Sequence, residues 1–228
     1  MTLRDQITHL ILSGCAIKLL GDSLTIGSGS SDSDLTGAVI YHPFYRQKGK
    51  LCWASLLTEH LAQFGCTLDN VGCYGTTSDE MVEHWQELYC PERDRLVFCM
   101  IGANDKKVAQ GMDRLERNLR FVCDTVLGDG NALILMTPNP ATKANDAKAN
   151  RLYPQSAVAQ VVRRVWEDYS DRVLLIDNHQ AMEDHCAARG ITMDEFLQVG
   201  VGPENDGLHP GDVAYRFYFE HICRELGI

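Results

Sequence analysis

Ala16-Ile17-Lys18-Leu19-Leu20-Gly21-Asp22-Ser23-Leu24 joins an apolar run to a small polar turn. Its apolar run, Ala16 to Leu20, has the length of a strand. Gly21 then permits a sharp exit that presents the Ser23 hydroxyl outward at the edge of a sheet. The same form recurs outward along the chain, with short apolar runs at Thr67 to Val71, Arg95 to Ile101, Ala132 to Thr137 and Arg172 to Ile176. Helical patterns separate them, at about Leu51 to Phe64, Ser78 to Leu88, Met112 to Val126 and Gln155 to Tyr169. A shorter one near Ala181 to Ala188 and a last one over Asp212 to Leu226 follow. Short strands alternating with helices are the sequence form of βαβ units, so the expectation is an α/β protein on a five-stranded parallel sheet. Ser78 reads as an N-cap, with Met81, Val82 and Trp85 as the apolar stripe behind it.

Composition narrows the function. The 228 residues are 45% apolar and 23% charged, globular values that exclude a disordered tail, a collagen-like chain or a coiled-coil rod. With no internal repeat and no linker, a single domain spanning 1–228 is expected. Lys plus Arg number 21 against 31 for Asp plus Glu, a net charge of −10, and no basic block is present. Nucleic acid is therefore not an expected partner. Nine cysteines form no CxxC pair and lack the spacing of a zinc site; several, such as Cys15 and Cys99, lie in apolar runs, which reads as a reducing, cytoplasmic setting. Leu12-Ser13-Gly14-Cys15 has the form of a lipoprotein cleavage site, but the run before it is broken by Thr8, His9 and Ser13. The segment reads better as a helix over about 3–13, capped by Thr2 with Asp5 and stopped at Gly14. No run reaches the roughly 18 apolar residues of a membrane span.

Two polar segments, about 28–50 and 138–154, fit no regular element and read either as solvated insertions or as functional loops. The first contains Tyr41-His42-Pro43-Phe44-Tyr45-Arg46, where Tyr41, Tyr45 and Arg46 are candidates to stack on a sugar ring or pair with an anion. His9, His60, His84, His179, His185 and His221 follow no metal-ligand spacing and are assigned surface or helix-face roles.

In a parallel sheet, ligands bind beyond the carboxyl ends of the strands, so the residues just after each strand matter most. The first strand leads into Gly21-Asp22-Ser23-Leu24. The second leads into Asn70-Val71-Gly72-Cys73-Tyr74-Gly75, where the Gly75 N–H can approach a ligand closely. The third leads into Gly102-Ala103-Asn104-Asp105, where Asn104 offers an uncharged amide donor. Ahead of the last helix, Asp206-Gly207-Leu208-His209 can set a carboxylate beside one imidazole nitrogen and leave the other free. Taken singly, each is also an ordinary turn.

In this order, the four motifs resemble those of the SGNH, or GDSL, hydrolase family, over about Ala16 to Leu226. The resemblance implies a flavodoxin-like three-layer α/β/α sandwich with a five-stranded parallel sheet. It implies Ser23 as nucleophile, His209 as general base and Asp206 as the group orienting it. The N–H groups of Ser23 and Gly75 and the Asn104 side chain are the implied oxyanion hole, and no metal or organic cofactor is implied. The expected activity is a serine esterase, first of all an O-acetyl esterase acting on a carbohydrate or glycan. A thioesterase, a lysophospholipase, an acyltransferase to a sugar or a catalytically idle binding module on the same fold stay open.

Overall fold

The computed structural model describes residues 1–32, 49–201 and 206–228. Each of the five apolar runs is a strand: β1 Ala16–Gly21, β2 Thr67–Asn70, β3 Leu96–Met100, β4 Ala132–Met136 and β5 Val173–Ile176. All neighbours pair in parallel, in the order β2-β1-β3-β4-β5. Strands buried on both faces read as unbroken apolar runs because alternate side chains serve opposite cores. In β3, Leu96, Phe98 and Met100 point into one core, while Val97 and Cys99 point into the other.

The helices are α1 Leu3–Leu12, α2 Ser23–Ile26, α3 Trp53–Ala62, α4 Ser78–Glu83, α5 Trp85–Leu88 and α6 Gly111–Gly128. They continue with α7 Lys143–Asp146, α8 Gln155–Tyr169, α9 Asn178–Arg189, α10 Met193–Phe196 and α11 Asp212–Leu226. Side chains from α1, α3, α9, α10 and α11 share one core with the sheet, and those from α4, α5, α6 and α8 share the other. This is the expected three-layer α/β/α sandwich. The N-terminal segment is the expected helix: Thr2 and Asp5 form a reciprocal capping box, and Cys15 is buried at the start of the first strand. Among the described residues, no helix is long and apolar enough to cross a membrane.

Three expectations are corrected. Thr77, not Ser78, caps α4, because Glu80 stands three residues after Thr77 and closes a capping box with it. That frees the Ser78 hydroxyl to donate to Asp105 at 2.5 Å. The helix expected over Ser78 to Leu88 is broken at His84 into α4 and α5. The 138–154 segment is not simply a solvated insertion: Pro138, Asn139, Pro140, Thr142 and Asn145 are buried, and it carries α7.

The order of strands places β1 beside both β2 and β3, so successive connections leave β1 in opposite directions. Such a switch point opens a crevice at the carboxyl ends of the strands. Here those ends carry Ser23 and Asn104.

Candidate active site

The site starts from Gly21 and Asp22. Asp22 is fully buried as the N-cap of α2: one carboxylate oxygen accepts the N–H of Leu24 at 3.0 Å, the other that of Ala103 at 3.2 Å. One carboxylate thus ties the exits of β1 and β3 together. Burial pushes its pKa up to about 6, against the pull of those two hydrogen bonds and the nearby His209. Ser23 is the first residue of α2, so its own N–H has no intrahelical acceptor. Asn70 fastens the second strand exit, donating to the Thr25 carbonyl at 2.8 Å and accepting from Gly72 at 3.0 Å.

The far end of the chain meets this turn. Ser23 Oγ lies 2.9 Å from Nε2 of His209. On the other side of the ring, Nδ1 lies 3.2 Å from Oδ1 of Asp206. The same oxygen accepts the N–H groups of Leu208 at 2.9 Å and His209 at 3.1 Å. Burial alone raises the Asp206 carboxyl, but the His209 ring and those backbone donors outweigh it and hold the group well below the usual carboxylate range. Hydroxyl, imidazole and carboxylate therefore stand in sequence, an arrangement in which the imidazole can take the hydroxyl proton while the carboxylate fixes its tautomer. The Tyr74 ring lies nearly parallel to the imidazole, 12° between planes and 6.1 Å between centroids.

Asn104 is buried at the exit of β3, and its amide nitrogen donates to the Thr76 carbonyl at 3.1 Å. That bond sets it one residue from Gly75, whose φ of +79° lies in the left-handed region that glycine tolerates. Lys107 donates to the Asn104 carbonyl oxygen at 2.6 Å.

Beneath the Asp206–His209 turn lies the 138–154 segment. Asn139 donates to the Leu208 carbonyl at 2.8 Å, and the Thr142 N–H donates to that of Gly207 at 2.8 Å. Asn145 donates to the Asp206 carbonyl at 2.8 Å and to its carboxylate at 3.3 Å. The carbonyl end of Asn145 is met by Lys106, which is fully buried and also paired with Asp146 at 3.0 Å. Burial lowers the Lys106 pKa to about 8, although Asp146 works the other way.

Five expected site residues, Ser23, Gly75, Asn104, Asp206 and His209, are thus brought to one end of the sheet, and Asp22, which the sequence reading did not single out, lies beside them. Tyr41, Tyr45 and Arg46, with His42, lie outside the described residues. His179 and His221 occupy helix faces as expected, but both are buried rather than on the surface, and His221 bonds Asn178 at 3.0 Å. Among the described residues, no group of three or more His, Cys, Asp or Glu side chains could hold a metal ion. Sequence reasoning missed Asn139, Thr142, Asn145, Lys107 and Tyr74. The first three sit just after β4, at the same carboxyl edge that singles out the other motifs, and that position is the signal that marks them.

Residues 19–217 match the model of the GDSL-like lipase/acylhydrolase family. No curated protein matches the chain in sequence. Among solved structures, it is similar to an alpha/beta hydrolase enzyme from the metagenome of Lake Arreo, Spain, at 19% identity and TM-score 0.70, covering 94% of this chain and 96% of that one. It is similar to an acetylxylan esterase from Geobacillus stearothermophilus at 19% identity and TM-score 0.68, covering 95% of each. A lipase/acylhydrolase from Enterococcus faecalis is 22% identical, with TM-score 0.67 over 93% of this chain and 95% of that one.

Proposed function

Because the chain belongs to the GDSL-like lipase/acylhydrolase family, we propose that it is a serine esterase whose nucleophile is Ser23. The observation that carries this reading is the 2.9 Å contact between Ser23 Oγ and His209 Nε2. Ser23 attacks the ester carbonyl carbon and His209 takes the hydroxyl proton. The tetrahedral intermediate collapses, the alcohol leaves with that proton, and an acyl-enzyme remains. Water then repeats the cycle with the same base and frees the acid. Asp206 holds the imidazole in one tautomer throughout. The negative charge on the carbonyl oxygen exists only at the tetrahedral stage, and the N–H groups of Ser23 and Gly75 with the Asn104 amide are its donors in this reading.

The substrate class we favour is a short acyl ester, an O-acetyl group on a carbohydrate. Its support is the likeness in fold to a protein described as an acetylxylan esterase. The whole chain acts as one unit in this reading, since nucleophile and base lie 186 residues apart, and its buried thiols suit the cytoplasm. The test is a panel of esters that varies acyl length and alcohol independently. Acetylated sugars turned over at least tenfold faster than long-chain esters and thioesters are expected. Preference for long acyl chains or for thioesters would replace this substrate class with a lysophospholipase or a thioesterase.

A further inference from the structure

We propose that Lys107 is a positioning residue of the oxyanion hole, fixing the Asn104 amide with its N–H edge toward the reacting carbonyl. The inference rests on reading Asn104 as an oxyanion donor. An amide can be turned over without changing its shape, so its donor end must be chosen by its partners. An ammonium has three donors and no acceptor, so the group 2.6 Å from Lys107 Nζ is the amide oxygen. The other end agrees, since the amide nitrogen faces the Thr76 carbonyl at 3.1 Å. Thr76 uses one of the two N–H bonds, and the second is left for a ligand.

The ammonium also does something a neutral partner would not. Withdrawing electron density from the amide oxygen strengthens the N–H donors at the opposite end. Among the described residues, the Lys107 ammonium has no ion-pair partner, and its bond to Asn104 is what holds it.

The backbone makes this orientation stable. Lys106 and Lys107 lie on a single 3-10 turn, Asp105–Lys107, so their side chains point apart. Lys106 is locked into the interior by Asn145 and Asp146. Asp105 is locked by the N–H and hydroxyl of Ser78. With both neighbours anchored, Lys107 is left directed at Asn104. Consecutive lysines thus serve the two halves of the site, one through Asn145 beneath Asp206 and the other on Asn104.

A double-mutant cycle tests this with acetyl ester turnover by the full chain, using Lys107→Met, Asn104→Ala, the double variant and Lys107→Arg. Lys107→Met should lower kcat about tenfold with KM changed less than about twofold. Asn104→Ala should lower it on the order of 10²-fold, and adding Lys107→Met to it should cost nothing more. Lys107→Arg should regain most of the loss. Losses that simply multiply in the double variant, or Lys107→Met at full kcat while Asn104→Ala loses activity, would overturn the positioning role and leave the esterase reading intact. Full activity in Asn104→Ala would remove the oxyanion reading and this inference with it, while loss of turnover in a Ser23 variant would still support the nucleophile.

Discussion

Ser23 Oγ and His209 Nε2, 186 residues apart in sequence, meet at 2.9 Å. Neither residue is placed by its own element alone. Ser23 is set by Asp22, whose two oxygens clamp the turn after β1 to the exit of β3. His209 is set by Asp206, by the buried polar segment beneath the turn and by close packing against Gly29.

The Asp206 carboxylate is the tautomer-fixing group, so Asp206→Asn should lower kcat by roughly 10³- to 10⁴-fold with little change in KM. Because the carboxyl is held well below the usual carboxylate range, it stays ionised through the neutral range in which ester turnover is followed. Wild-type kcat on an acetyl ester in Asp206→Asn would contradict this role.

Gly29 has φ +98°, and a Cβ there would meet the Pro210 carbonyl oxygen at 2.7 Å and His209 Cβ at 2.9 Å. A backbone carbonyl cannot step aside, so Gly29→Ala should push His209 off Ser23. We expect kcat to fall by about 10²-fold, with a stability cost of about 1–3 kcal/mol. Gly65→Ala is the control: its φ is +79° but nothing lies within 4 Å of the new methyl. It should show a smaller shift in urea midpoint, from the left-handed backbone alone, and unchanged turnover.

Buried carboxyls set the pH dependence of stability. Burial raises both Asp22 and Asp105 to about 6 in the folded chain, against about 3.9 when unfolded. Between those values the folded state binds more protons than the unfolded state, so stability falls as pH rises through about 4 to 6 and then levels. Carboxyls held low, such as Asp206 and Asp177, lose their contribution only below that window. Two units correspond to about 2–3 kcal/mol per group. Burial holds His179, His185 and His221 low, and these work the other way through the same window, so the carboxyl effect is read against a variant: Asp105→Asn should fall further below the wild type in urea midpoint at pH 5 than at pH 7.

Much of this was legible in sequence because it depends on local pattern. Strands such as Leu96–Met100 feed a core on each face, so nearly every residue is apolar and the run announces itself. Ser23, Asn104, Asp206 and His209 sit in short turns at strand or helix ends, where both spacing and position carry information. Asn145, Thr142 and Lys107 escaped because each acts through hydrogen bonds to polar partners, which leave no periodicity. The 138–154 segment is polar in part because its Asn139 and Asn145 amides are spent on the carbonyls and carboxylate of the 206–208 turn, and composition reads that as solvated surface. Ser78 misled for a related reason. Two adjacent hydroxyl residues compete for one cap, and Glu80 settles it for Thr77.

Acetyl ester turnover by Ser23→Ala beside the wild type decides whether Ser23 is the nucleophile. The wild type should hydrolyse the ester, and the variant, folded with an unchanged urea midpoint, should lose at least about 10³-fold in kcat. Wild-type turnover in Ser23→Ala would contradict it.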